Sequence, residues 1–303
     1  MRYIALFVLA ALLVFGCAGA PPAQQPGTGG TPQVPGVPGT PAEECTLSQS
    51  FSDPAEGTLA QQAGVVGTVT CAANKTIEVK LDGETVASMM PETDADQPVK
   101  LEFAPAKDGT LKLTVEIDGE TVYSRDWVVK PLGNPETKGT ENDAVSYKEW
   151  RAQAIDVGGP FELGRIRVFM KRFDFRTQEG TKIVVEVRED SAGKPGSVVS
   201  SVERPMNVTT LSENWINFDF QDKPALSEGR YWVVMRVAQT KDVKLASDII
   251  NVHYVALDKQ APGNEYTMEM RLTTDQVTGE ASETSWQPLS YDRSYSIIVQ
   301  AAS

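Results

Sequence analysis

The chain has little of what enzymes and metalloproteins usually require. Its 303 residues include one histidine and three cysteines. The histidine, His253, lies in an apolar run without a G-x-S-x-G nucleophile turn, and no P-loop, dinucleotide fingerprint or EF-hand spacing is present. These absences predict no catalytic residues, no metal site and no cofactor. A carboxylate pair of the glycosidase type stays open, because 41 acidic residues are available.

Positive charge is scarce in the first half of the chain. The formal net charge is −13, and residues 42–144 contain 8 Lys and Arg against 19 Asp and Glu, whereas residues 145–303 contain 19 against 22. A negative surface repels phosphate backbones, so nucleic-acid binding is disfavoured. Solubility outside the cell is the simplest interpretation of the acidity.

Long hydrophobic runs are confined to the start of the chain. Residues 1–17 have the pattern of a signal peptide, with Arg2 before an apolar stretch and Cys17 at its end. Val14-Phe15-Gly16-Cys17 resembles a lipobox, which implies cleavage before Cys17 and lipidation of its thiol. The alternative is an uncleaved membrane helix over residues 3–20. Either anchor places the body of the protein on the outer face of the cytoplasmic membrane, in the cell envelope.

Composition divides the remainder of the chain into four segments. Residues 18–44 contain seven prolines and six glycines and predict a disordered tether, either a spacer of defined reach or a simple flexible linker. Residues 132–145 are polar, without periodicity, and predict a second linker. The two predicted domains are therefore residues 45–131 and residues 146–303.

Cys45 and Cys71 remain as a pair once Cys17 is assigned to the anchor. Disulfides persist in an extracellular protein, so the sequence predicts a bond between them. Closing the loop of about 26 residues between the two cysteines would stabilise the first domain by about 3 kcal/mol in the chain-entropy model.

The first domain is predicted to be a small β-sandwich. Residues 78–88 and 114–124 match at seven of eleven positions, and each has Asp-Gly at the centre, the dipeptide that favours a type I′ hairpin. Two such hairpins on opposite sides of one core are expected. The segment resembles extracellular immunoglobulin-like modules, and the resemblance implies a spacer or an adhesion module.

The second domain is predicted to be a larger, jelly-roll β-sandwich, because apolar and polar residues alternate along many short segments. The order of its motifs resembles the choice-of-anchor domains of cell surfaces, which are related to galactose-binding-like modules. That resemblance implies surface attachment and binding of carbohydrate or protein. The motifs that carry it are residues 152–155, 163–170, 185–190, 193–196, 215–220, 229–234, Trp286 and residues 295–299.

Two groups of side chains in this domain are candidates for ligand binding. Strand alternation places Arg165, Arg167 and Lys171 on one face, which would dock an anionic polymer or the acidic first domain, or remain solvated. The second group consists of aromatic residues near predicted strand ends, whose rings would stack on sugars or fill the core: Trp150, Tyr254, Tyr266 and Trp286. Trp215 and Trp232, inside alternating strands, are expected in the core.

The sequence thus predicts an all-β protein of two sandwiches on a membrane anchor, which binds a surface glycan or protein and is not an enzyme. The first alternative is an extracellular glycan-active enzyme. The second is a structural spacer of a prokaryotic cell envelope.

Overall fold

The computed structural model describes residues 47–135, 141–146, 148–172, 180–238, 250–256, 267–274, 281–283, 285–289 and 293–303. The predicted signal peptide and tether lie outside these ranges. Within them the regular structure is β-strand and one 3₁₀ turn, Met206–Val208, which confirms the all-β sandwich fold. None of the described residues belongs to a helix of the length and apolarity that a membrane crossing requires.

Eight strands form the first sandwich. They are β1 Ser48–Ser52, β2 Glu56–Thr58, β3 Ala63–Thr70, β4 Ile77–Leu81, β5 Glu84–Met89, β6 Gln97–Phe103, β7 Gly109–Ile117 and β8 Glu120–Lys130. One sheet has the order β1-β3-β6 and the other β2-β8-β7-β4-β5. The two sheets contain three and five strands, as a small β-sandwich requires.

Both Asp-Gly hairpins form, but they do not lie on opposite sides of the core as predicted. β4 pairs with β7, so the two hairpins lie side by side in one five-stranded sheet. Their turns have positive φ at Asp82 and Gly83, and at Asp118 and Gly119, as a type I′ turn requires. The local sequence determines each hairpin, whereas the sheet it joins depends on pairing between distant strands.

The second sandwich contains the other fifteen strands. They are β9 Leu132–Gly133, β10 Glu141–Val145, β11 Glu149–Val157, β12 Phe161–Arg172, β13 Lys182–Asp190, β14 Pro195–Pro205, β15 Asn214–Asp219, β16 Ala225–Leu226, β17 Gly229–Ala238, β18 Ile250–Ala256, β19 Thr267–Thr274, β20 Ala281–Glu283, β21 Gln287–Pro288, β22 Arg293–Tyr295 and β23 Ile297–Ala301. The eight-stranded sheet follows the path β10-β18-β12-β23-β9, with β15 and β16 on β12, and β22 on β18. The seven-stranded sheet follows β14-β13-β17-β11-β19-β20, with β21 on β19.

The predicted linker, residues 132–145, differs from the expectation because it supplies two strands. β9 pairs with β23, and β10 pairs with β18. The backbone N–H of Asn134 also donates to the carbonyl of Ile297 at 2.7 Å. These contacts use backbone groups, which polar composition does not reveal.

The two sandwiches share one continuous core. Residues 45–303 form a single compact unit, and its main apolar cluster includes Leu59 and Phe103 of the first sandwich with Phe161 and Phe220 of the second. Backbone contacts reinforce the junction, since Gly158 N donates to Ala60 O at 2.6 Å. Both sandwiches therefore belong to one compact unit.

Candidate binding face

The predicted basic residues lie on the outer surface of the eight-stranded sheet. β12 pairs with β15, in the register Arg165 with Asp219, Arg167 with Asn217 and Phe169 with Trp215. Paired residues point to the same side of a sheet. The intervening residues Ile166, Val168, Met170, Ile216 and Phe218 are buried in the core. We call the outward set Arg165, Arg167, Phe169, Lys171, Trp215 and Asn217 the β12–β15 face.

Trp215 belongs to this face and not to the core, which corrects the prediction. It is partly exposed, and its ring centroid lies 5.4 Å from that of Phe169 at an interplanar angle of 47°. The guanidinium carbon of Arg167 lies 5.3 Å from the Trp215 ring centroid, in cation–π range. The sequence itself indicates this outward position, because residues 215, 217 and 219 lie on the same side of the strand and Asn217 and Asp219 are polar.

Ion pairs hold the two ends of the face. Arg165 Nε donates to Asp219 Oδ1 at 2.5 Å, and Lys171 Nζ donates to Glu213 Oε1 at 3.0 Å. Each pair is partly exposed, so its contribution to stability is at most about 1 kcal/mol. These carboxylates come from the second sandwich, and the acidic first domain does not neutralise the two cations. The pairs orient the basic side chains beside the aromatic ones.

The centre of the face contains polar atoms without hydrogen bonds. Arg167 Nε and Asn217 Oδ1 are buried, and neither has a partner among the described residues. Arg167 also makes no ion pair with any described carboxylate. On its other side it lies opposite Ile298 of β23, which is 8% exposed. Because both atoms are buried, a ligand reaches them only if neighbouring side chains move, whereas the side chains of Trp215 and Arg167 are themselves partly exposed.

Two of the predicted aromatic residues come together elsewhere, on the outer side of the seven-stranded sheet. Trp150 and Trp286 have ring centroids 6.4 Å apart and are 8% and 6% exposed. They pack with Trp232 in a second apolar cluster. Their role in ligand binding stays a prediction, and their burial limits the ring area open to a sugar.

A buried ionic group covers the Trp150 ring. Glu186, 3% exposed, accepts from Arg188 Nε at 2.7 Å and from Arg236 Nε at 2.6 Å. The two guanidinium carbons lie 5.7 Å and 5.1 Å from the Trp150 ring centroid. These charges neutralise one another in part, and both guanidinium groups pack on the indole ring in cation–π range.

The other predicted residues give less information. Tyr254 lies in β18 and pairs with Tyr295, and Tyr266 lies outside the described residues. Cys71 is buried directly after β3, but Cys45 and Cys17 are outside the described ranges, so both cysteine assignments stay predictions. Among the described residues no group of three or more His, Cys, Asp or Glu side chains is arranged to hold a metal.

Comparison with known proteins assigns the chain to no family, because no family model and no curated protein matches it.

Proposed function

We propose that this chain is an exported, lipid-anchored binding protein of a prokaryotic cell envelope, and that it recognises a surface glycan through the β12–β15 face. The observation that supports this most is the partly exposed Trp215 ring beside Arg167. A flat ring beside a guanidinium group offers stacking for the apolar face of a sugar and hydrogen-bond donors for its hydroxyls. The signal-like residues 1–17 and the Pro/Gly-rich tether support the anchor.

The glycan site proposed here differs from the one that aromatic residues near strand ends suggested. Trp150 and Trp286 are buried against each other, whereas Trp215 and Phe169 are both partly exposed on the same face as three cationic side chains. Rings and cations on one exposed face can stack on a sugar and bind its polar groups.

The test is a glycan array screened with residues 45–303, followed by titration of each hit with variants. Trp215→Ala is expected to weaken binding by about 1 kcal/mol, roughly fivefold in Kd, because one stacking surface is lost. Its melting temperature should change little, since the ring is on the outside of the sheet.

Trp232→Ala is the matched control. That ring is fully buried and donates from Nε1 to Asp190 Oδ1 at 2.8 Å, so its loss should cost about 3–5 kcal/mol of stability. Equal destabilisation by both variants, with unchanged affinity for Trp215→Ala, would contradict the proposal. Release of products from a bound glycan would support the enzyme alternative, and the absence of any ligand would support the spacer.

A further inference from the structure

A cleft of about 530 Å³ lies where the two sandwiches meet. Its walls include Lys107 and Asp108 from the loop before β7, and Arg165, Asp219, Lys223 and Gln300 from the second sandwich. We call this the junction cleft. The volume is within the usual range for small-molecule sites, and domain interfaces are a frequent place for them.

Hydrogen bonds between the two sandwiches join the walls of the junction cleft. Asp108 Oδ1 accepts from the backbone amide of Ala301 at 2.8 Å, and Asp108 Oδ2 accepts from Gln300 Nε2 at 3.3 Å. Both oxygens of this carboxylate are therefore occupied. Because the walls belong to one compact unit, a ligand would not have to bring two mobile bodies together.

The basic side chains of the cleft retain donors that the protein does not use. Arg165 contacts Asp219 through Nε, and its two terminal amino groups make no hydrogen bond with the described residues. Among the described residues, Lys223 Nζ donates to the backbone oxygen of Ser303 alone, at 3.2 Å. The carboxylate nearest to Lys107 Nζ is Glu84, 3.9 Å away, and both side chains are more than half exposed. Spare guanidinium and ammonium donors bind carboxylate or phosphate oxygens strongly.

Arg165 also connects the junction cleft to the β12–β15 face. It is the first outward residue of that face, and Arg167 and Phe169 follow at every second position of β12. The four residue steps from Arg165 to Phe169 span about 13 Å of strand. A glycan that stacks on Trp215, opposite Phe169, would thus reach the cleft along one strand.

We propose that the junction cleft is a subsite for an anionic group, a carboxylate or a phosphate, carried by the glycan that binds at the β12–β15 face. The inference rests on the proposed function, because the face supplies the remainder of the contact. The acidic first sandwich, with 8 Lys and Arg against 19 Asp and Glu over residues 42–144, repels anionic polymers. Binding of an acidic glycan therefore depends on this local group of three basic side chains, and it should weaken as salt concentration rises.

The test uses residues 45–303 and three probes: oligogalacturonate, its neutral methyl ester, and a glycerol phosphate oligomer. Calorimetric titration at low salt should show at least tenfold tighter binding of one acidic probe than of the methyl ester, and the preferred acid identifies carboxylate or phosphate. Lys107→Gln combined with Lys223→Gln should remove that preference while leaving binding of the ester unchanged. Lys100→Gln, an exposed change on β6, is the matched control and should preserve it. Melting curves verify that each variant is folded.

The outcomes separate the cleft from the face. Trp215-dependent binding with no preference for acid overturns this inference and leaves the proposed function standing. Acid binding that depends on Lys107 and Lys223 but not on Trp215 supports the cleft and contradicts the glycan face. Binding of no probe overturns this inference, and a glycan array without any hit overturns the proposed function as well.

Discussion

At the scale of single residues, Asp53 connects the start of the first sandwich to its last strand. Its carboxylate is 2% exposed and forms an ion pair with Arg125, and its Oδ1 accepts from Tyr123 Oη at 2.6 Å. The neighbouring carbonyl of Pro54 accepts from Trp127 Nε1 at 2.9 Å. These contacts hold the segment before β2 against β8. The hydrogen bond to Asp53, with a smaller effect of burial, raises the pKa of Tyr123 above its ordinary value of 10.0.

This raised pKa predicts a loss of stability at alkaline pH. In the unfolded chain Tyr123 ionises near pH 10, whereas in the folded protein it remains protonated to a higher pH. Its contribution to stability is present below pH 10 and is lost as pH rises through the folded pKa. Tyr123→Phe should therefore make the decline of melting temperature between pH 9 and about pH 11 less steep than in the wild type. A variant with the wild-type slope would contradict the assignment.

At the scale of elements, the two Asp-Gly turns support each other across the sheet. Lys112 N donates to Asp82 Oδ1 at 2.7 Å, and Thr76 N donates to Asp118 Oδ1 at 2.8 Å. Each aspartate thus binds the backbone beside the neighbouring hairpin, because β4 and β7 are paired. Asp82 and Asp118 occupy the same place in the two similar segments and have the same role. Each forms its own turn and helps to fix the pairing of the two hairpins.

Glycine substitutions distinguish backbone conformation from close packing in this sheet. Gly83 has φ +86°, and a Cβ added there would meet no atom within 4 Å. Gly83→Ala should therefore cost about 1–2 kcal/mol through the left-handed backbone conformation alone. Gly57 in β2 has no such φ, but a Cβ there would collide with the Trp127 ring, which is fully buried. Gly57→Ala should therefore cost about 1–3 kcal/mol by overpacking.

Chemical denaturation and tryptophan fluorescence test the two glycine variants. Gly57→Ala should change the native emission spectrum, because the Trp127 ring must move, while Gly83→Ala should leave it unchanged. An unchanged spectrum for both variants would contradict the packing argument.

Sequence periodicity predicted individual strands better than their partners. β11 has the predicted bounds, Glu149–Val157, because its alternation is local. The partners of β9 were not predictable, since two residues of a polar segment pair with β23 through backbone groups alone. For the candidate site, the sequence placed Arg165, Arg167 and Lys171 on one face. An aromatic residue inside an alternating strand predicts a core position for Trp215, whereas the polar residues Asn217 and Asp219 lie on the same side of the strand and indicate the outer face.

At the scale of the whole molecule, the junction should make the two sandwiches unfold together. Gly158 and Gly159 contact the first sandwich, and a Cβ on Gly159 would lie 2.5 Å from the Cβ of Ala104. Residues 45–303 should give one calorimetric transition, with equal van't Hoff and calorimetric enthalpies. Gly159→Val should separate it into two transitions or lower the enthalpy ratio, because the side chain forces the surfaces apart.

Ser197→Val, an exposed change in the edge strand β14, is the control and should leave the single transition intact. Two transitions in the wild type would show that the shared core does not couple the sandwiches.

The predicted anchor gives a test on intact cells. Cys17→Ser should abolish lipidation and leave either the precursor or released protein, because the modified thiol is absent. Intact-mass measurement and membrane fractionation detect each product. An unmodified Cys17 still joined to Met1 in the wild type would support the uncleaved helix instead.

The pairing of β1 determines where mechanical tension enters the folded unit. If the predicted anchor holds the N-terminal end, a pull on it reaches Ser48 first among the described residues, and Ser48 lies opposite Thr70 in a strand with one neighbour among those residues. The β1–β3 ladder would carry the load and fail before the inner strands. A Cys45–Cys71 bond would transfer that tension to the end of β3, which has a partner on both sides. The predicted disulfide would then protect the β1–β3 ladder whenever the protein is pulled between the membrane and a ligand.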